Sequence, residues 1–392
     1  HLMAAARLDV PSIVVTCGYQ LGGSCGGKSV DIETLYNSVG SYKAGEIDLA
    51  QLTEMSRVAI TGPGVCAGLA TANSMHVLAE ALGMTLPGNA PVRAGSERLD
   101  GICDAAGRRI VEMVEEELRP RDILTPAAFR NAIRVAVGLG ASVNVVRHLA
   151  ATAREAGLDL NIVAEVEAAA AQVPLIARIR PNGGTRIEDF DEAGGCLAAL
   201  KVLEGVLEPD AMTVSGRTMG ELLREVGAPR SPHLATLEAP FSPDPGLAII
   251  RGSLAPDGAV VKVAAIPRRI RRFSGRARVF ENEADAIERL APGHAERVRK
   301  GDVVVLRMMG PKGGPGTVFA ASFMAALQGT ELASEVAVVT DGELSGLNSG
   351  ITIGQVMPEA AEGGPLAYVE NGDEIAIDLD RRSVDLLDRK ST

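Results

Sequence analysis

Tryptophan is absent from this chain, and aromatic residues make up only 3% of it. Proteins that grip single-stranded nucleic acid stack bases on aromatic side chains, and a phosphate-binding surface needs excess positive charge. Few aromatics and a net charge of -11 therefore argue against a nucleic-acid partner. The short basic run Arg268–Arg272 reads as a solvated face. No apolar run is long enough to span a bilayer, so no membrane partner is expected. No signal peptide opens the chain, which makes the cytoplasm the expected compartment. Cysteine is scarce: Cys17, Cys25, Cys66, Cys103 and Cys196 are odd in number, scattered, and form no C-x-x-C pair. That pattern excludes a disulfide framework and a zinc ribbon. His1, His76, His148, His233 and His294 include no H-x-x-x-H pair, and a structural role is expected for each.

Glycine, by contrast, is abundant at 44 residues, within a chain that is 46% hydrophobic. This composition describes ordered domains with cores of Ala, Val, Leu and Ile joined by many tight turns. The 392 residues suffice for about two domains. In the first half, Ile13–Thr16 and Val173–Arg178 read as strands. Helices are predicted over Asp31–Ala44, Asp48–Arg57, Ala67–Leu82, Ser96–Leu118, Ser142–Ala156 and Asp191–Leu203, with another opened by Thr125 and Pro126. Strands alternating with helices make this half α/β, with a parallel sheet. Gly227–Gly246 carries five prolines and reads as a linker. Beyond it, short strands dominate: Leu247–Arg251, Ala259–Ala265, Ala277–Phe280, Asp302–Leu306, Val336–Thr340 and Glu374–Leu379, interrupted by helices at Glu283–Leu290 and Thr317–Leu327. The expected architecture is an α/β domain over residues 1–226 and a β-barrel-like domain with helical insertions over residues 247–392.

Three glycine-rich turns lie close together: G-P-K-G-G-P-G at Gly310–Gly316, T-D-G-E-L-S-G at Thr340–Gly346, and P-E-A-A-E-G-G-P at Pro358–Pro365. Glycine lets backbone amides approach an anionic ligand closely. Ser345 follows a strand between Gly342 and Gly346, where a hydroxyl can face a pocket. A fourth loop, T-G-P-G-V-C-A-G at Thr61–Gly68, leads into a helix and puts Cys66 at the junction. Helix-end amides favour a thiolate there, although a lone cysteine is most often a small buried hydrophobe.

These motifs, in this order, resemble the dihydroxy-acid dehydratase / phosphogluconate dehydratase family. The resemblance extends from Leu2 to about Leu379. Its pattern G-x-C-x-G-M-x-T-A-N-T-M is matched at Cys66, Gly68, Thr71, Ala72, Asn73 and Met75. The resemblance implies a hydro-lyase that removes water from a 2,3-dihydroxy carboxylic acid, either a sugar acid or a branched-chain acid of amino-acid biosynthesis. It assigns the base to Ser345 and a ligand of an iron–sulfur cluster, 2Fe-2S, to Cys66, with Mg2+ beside the substrate. It implies a small-molecule hydroxy acid as the partner and a homodimer or homotetramer. It also implies that the Cys66 loop and the Ser345 turn face one cleft. Cys17, Cys25, Cys103 and Cys196 match no cluster position and are read as structural.

Departures from the pattern matter too. Where the family has a magnesium-binding Glu in G-P-G-M-P-E, this chain has Phe319. Glu343 stands where many members have Arg, and an exposed turn is expected for it. The chain opens within a helix, just where the family's Cys-Asp-Lys motif would precede it, so an upstream segment carrying further cluster and magnesium ligands is expected. Without that segment the chain is expected to fold but to be metal-free and inactive. The alternative is a divergent, non-catalytic relative acting as a partner or binding subunit.

Overall fold

The computed structural model describes residues 1–43, 45–291, 293–314, 320–344 and 350–387. They divide into two compact units, one formed by His1–Gly22 with Ile60–Gly246, the other by Gly23–Ala59 with Leu247–Thr392.

The first unit is built on helices. Thr71–Ala81 packs against Pro126–Leu139, and Gly195–Leu203 packs against both. Phe129, Ala132, Ile133, Ala136, Val77, Leu78, Ala199, Leu200 and Leu203 are buried, forming the aliphatic core expected from composition. Each large apolar side chain so buried contributes roughly 1.5–3 kcal/mol. Ser96 and Thr125 cap their helices, accepting from the Leu99 and Ala128 amides at 3.3 and 3.4 Å. The helix expected over Asp191–Leu203 is two, Ile187–Glu192 and Gly195–Leu203. Gly194 and Gly195 both take positive φ at the break, a conformation open to glycine.

Extended segments of this unit pair sparingly. Tyr19 bridges Val65 and Arg93 in parallel, so its parallel pairing is by isolated bridges. Ile13–Thr16 forms no ladder; its backbone is tied instead by the Val14 amide to the Met84 carbonyl at 2.9 Å. The proline-rich stretch read as a linker is part of the unit: Ser242 and Leu234 bridge Leu175 and Ala177, and Arg178 stacks 5.2 Å over Phe241. Proline blocks a continuous ladder but permits such isolated pairs.

The second unit opens with a hairpin, β1 (Gly23–Cys25) and β2 (Lys28–Val30). Helices Ile32–Lys43 and Leu49–Val58 follow, the latter opened by a capping box between Asp48 and Gln51. Eight strands then close a barrel: β3 (Ala248–Gly252), β4 (Ala255–Val261), β5 (Arg272–Phe280), β6 (Val303–Leu306), β7 (Ala337–Thr340), β8 (Ile351–Met357), β9 (Glu374–Asp378) and β10 (Ser383–Leu386). Their order around the barrel is β10-β3-β4-β8-β7-β6-β5-β9. β5, β6, β7 and β8 run parallel, and β6 and β7 are buried along their full length, as parallel strands are.

Gly23–Ala59 clusters with the barrel rather than with residues 60–226, unlike the contiguous division read from the sequence. Helix Ile32–Lys43 packs on helix Ala321–Gln328, and the Tyr36 hydroxyl donates to the Ala321 carbonyl. Gly40 and Gly329 let the two backbones touch, since a Cβ on either would collide with the other's main chain. Lys262, buried just past β4, faces Glu33 of the same segment. Burial pushes its pKa down to about 8, and the Glu33 carboxylate opposes that shift.

Candidate functional site

The first unit carries the Cys66 loop. Asn73, in the first turn of helix Thr71–Ala81, donates from Nδ2 to the Cys66 carbonyl at 2.6 Å and the Gly68 carbonyl at 2.9 Å. Thr71 Oγ1 meets Ser142 Oγ at 2.9 Å and accepts from Asn144 Nδ2 at 3.0 Å. The Leu69 amide donates to the Arg180 carbonyl at 2.8 Å. The polar residues of the motif thus tie the loop to the helix start, and the half-buried Cys66 is carried on that tie. None of the cysteines forms a disulfide.

His76 lies one turn along from Asn73, and its Nε2 is 3.8 Å from the exposed Cys17 Sγ. Burial pushes the His76 pKa down to about 4, so the ring is neutral near pH 7. Its buried Nδ1 has no hydrogen-bond partner among the described residues, in contrast to the satisfied role expected for it. Cys196 is fully buried and donates to the Val77 carbonyl at 3.3 Å, as a structural cysteine should. Cys17 and Cys103 are exposed, so neither belongs to a core. Glu80, also buried, accepts from the Gly88 and Ala90 amides at 2.7 and 2.6 Å. Burial raises its pKa to about 7 against the pull of those amides.

The second unit carries the glycine-rich turns. They are the loops that follow β6, β7 and β8, so all three leave the C-terminal ends of parallel strands at one rim of the barrel. In parallel α/β sheets that is where ligands bind. Asp341 is fully buried; the Met309 amide donates to Oδ1 at 2.9 Å, and the Met308 and Ala360 amides donate to Oδ2 at 3.2 and 2.8 Å. Glu359 accepts from the Lys312 and Gly313 amides, each at 3.1 Å. Gly310 is required where it stands, because a Cβ there would strike the Glu359 carboxylate. The Lys312 ammonium pairs with Glu362 at the surface.

Glu343 corrects an expectation: it is fully buried rather than exposed. Its carbonyl accepts from the Ala320 amide at 3.1 Å, and the Gln355 amide donates to the neighbouring Gly342 carbonyl at 2.9 Å. Ser345 and Phe319 lie outside the described residues. Sequence reading noted Asp341 among the glycine-rich turns without its tying role, and missed Glu359, the Cys17–His76 pair and the buried Glu80. The first two were legible only as acids inside glycine-rich turns; the others depend on distant segments meeting.

Among the described residues, no group of three or more His, Cys, Asp or Glu side chains converges to hold a metal ion. An iron–sulfur cluster takes several cysteine ligands. The described donors therefore do not by themselves fit one, Cys66 being able to supply a single thiolate. No helix among the described residues is long and apolar enough to cross a membrane.

Glycine-rich turns at the C-terminal ends of parallel strands are features that enzymes acting on small molecules share. The chain belongs to the dihydroxy-acid/6-phosphogluconate dehydratase family, a family of hydro-lyases: the family's N-terminal domain matches residues 1–222 and its C-terminal domain residues 233–392. It is 46% identical over 388 residues to a dihydroxy-acid dehydratase of Pyrococcus abyssi, covering 98% of this chain and 70% of that protein. It is 43% identical over 387 residues to one of Caldanaerobacter subterraneus, covering 98% and 69%. A third, from Oleidesulfovibrio alaskensis, is 42% identical over 390 residues, covering 98% and 70%.

Proposed function

We propose that the protein removes water from a 2,3-dihydroxy carboxylic acid to give the 2-keto acid. The observation that carries this reading is identity of 42–46% across 98% of the chain to relatives named dihydroxy-acid dehydratase. That likeness does not favour the non-catalytic alternative. In the reaction the C2–H bond breaks and its proton goes to a base. The C3–O bond breaks as hydroxide leaves and takes up a proton as water. The resulting enol then tautomerises to the ketone.

Ser345 is the proposed base. A serine hydroxyl is a poor base near neutral pH, so it needs a nearby cation, for which Mg2+ is the proposed ion. An iron–sulfur cluster, when bound, would supply a Lewis acid for the departing hydroxyl. Cys66 is proposed to contribute one ligand to it, the others coming from outside the described residues. A homodimer or homotetramer is proposed for the assembly.

The test is direct. Ser345→Ala in the intact, anaerobically purified protein should abolish keto-acid formation from both branched and sugar dihydroxy acids, with folding and iron content unchanged, since a turn hydroxyl adds little to stability. Wild-type turnover in that variant would show that the base is elsewhere. Cys66→Ser should lose iron and visible absorption while the far-UV spectrum persists; full iron retention would remove Cys66 from the ligand set.

A further inference from the structure

The loops after β6, β7 and β8 are joined by two buried carboxylates. Asp341 receives three backbone N–H groups, from Met308 and Met309 of the β6 loop and Ala360 of the β8 loop. Glu359 receives two more, from Lys312 and Gly313 of the β6 loop. Asp341 sits on the β7 loop and bonds to the β6 and β8 loops, and Glu359 sits on the β8 loop and bonds to the β6 loop, so each acts as a tie between segments far apart in sequence. A carboxylate suits this task because it is acceptor-only, with two oxygens able to take several donors. These oxygens face main-chain N–H groups, so the carboxylates are used to hold backbone.

We propose that Asp341 and Glu359 are positioning residues that tie the described parts of the loops after β6, β7 and β8 to one another, and that turnover depends on the tie at Asp341. Ser345 follows Leu344 directly in the chain, and the Thr340–Leu344 backbone leading to it is buried and fixed at Asp341. The proposal rests on the reading of Ser345 as the base.

The two ties differ in a way that yields a test. An amide at position 341 keeps its oxygen towards Met308 and Ala360 only by turning its NH2 against the Met309 amide. Asp341→Asn must therefore break at least one bond between the β6 and β7 loops. At position 359, Oε2 lies 3.1 Å from both the Lys312 and Gly313 amides and Oε1 lies 3.1 Å from Lys312 alone, so Oε2 by itself can leave each donor an acceptor. Glu359→Gln can keep that oxygen in place. A positioning role thus makes Asn harmful at 341 and Gln tolerated at 359, whereas a role requiring negative charge makes both harmful.

The experiment uses the intact protein with its cofactors, and compares Asp341→Asn, Glu359→Gln, Ser345→Ala and the Asp341→Asn/Ser345→Ala double variant. Misplacing a reacting group by about 1 Å costs on the order of a hundredfold, so Asp341→Asn should lower kcat by about tenfold to a hundredfold. KM and iron content should stay near the parent values, Glu359→Gln should lose no more than about threefold, and the double variant should be no slower than Ser345→Ala alone. Unchanged kcat in Asp341→Asn, an additive loss in the double variant, or equal losses in Asp341→Asn and Glu359→Gln would each overturn the proposal. If Asp341→Asn fails to fold, Glu359→Ala, which frees the Lys312 and Gly313 amides, takes its place with the same expected signature. Wild-type turnover in Ser345→Ala would overturn the base reading alone. The tie is then judged by hydrogen exchange: faster exchange at Met308, Met309 and Ala360 in Asp341→Asn supports it, and unchanged exchange overturns it.

Discussion

His76 shows how burial turns a residue into a pH-dependent liability. Its pKa falls from 6.5 to about 4 on folding, so the unfolded chain binds the proton more tightly. Above pH 6.5 the ring is neutral in both states and contributes nothing; as pH falls towards 4 the unfolded state is progressively favoured. The cost amounts to about 3 kcal/mol at most. Glu80 titrates in the opposite sense, because its folded pKa is raised to about 7 and protonation favours the fold. The measurement is therefore a difference: urea unfolding of His76→Gln and the parent from pH 7 to pH 4. The parent should lose more stability than the variant over that range, and parallel curves would show that His76 is not desolvated in solution.

At the scale of elements, glycine has two distinct roles in this chain. Gly40, in helix Ile32–Lys43, is there because the Gly329 backbone leaves no room for a Cβ. Gly107, in helix Glu97–Glu115, has nothing within 4 Å of where a Cβ would stand. Gly40→Ala should destabilise by about 1–3 kcal/mol through overpacking. Gly107→Ala should stabilise by roughly 0.5–1 kcal/mol by relieving backbone entropy. Thermal unfolding of the two variants decides, and like signs would contradict the packing of these helices. Helix propensity alone treats both glycines as defects, so only the tertiary contact separates them.

At the scale of the molecule, the barrel unit is covered by a segment far from it in sequence. Gly23–Ala59 supplies helix Ile32–Lys43, which covers helix Ala321–Gln328, and brings Glu33 to the buried Lys262. Residues 247–392 expressed alone should therefore expose apolar surface, bind a hydrophobic dye and melt without cooperativity. Adding residues 23–59 as a peptide should restore a cooperative transition. A cooperative, dye-free fold of residues 247–392 alone would show that the segment is dispensable.

The sequence by itself determined what is local. Apolar periodicity and caps at Ser96 and Thr125 placed most helices, because capping needs only a few adjacent residues. Buried runs of β-branched residues marked β6 and β7, and glycine clusters marked the rim turns. β8 escaped because its Gly354 and Gln355, the latter at φ 55, break the strand pattern, and Ile13–Thr16 looked like a strand but met no partner. The resemblance of the motifs to a known family put forward Cys66 and Ser345 as candidates. Only the tertiary structure decided which segments share a unit, that Glu343 is buried, that Cys17 lies beside His76, and that Asp341 and Glu359 tie separate loops. The physical reason is range: propensity and capping act over a few residues, whereas burial and carboxylate-to-amide ties depend on chain segments that meet only when the whole barrel closes.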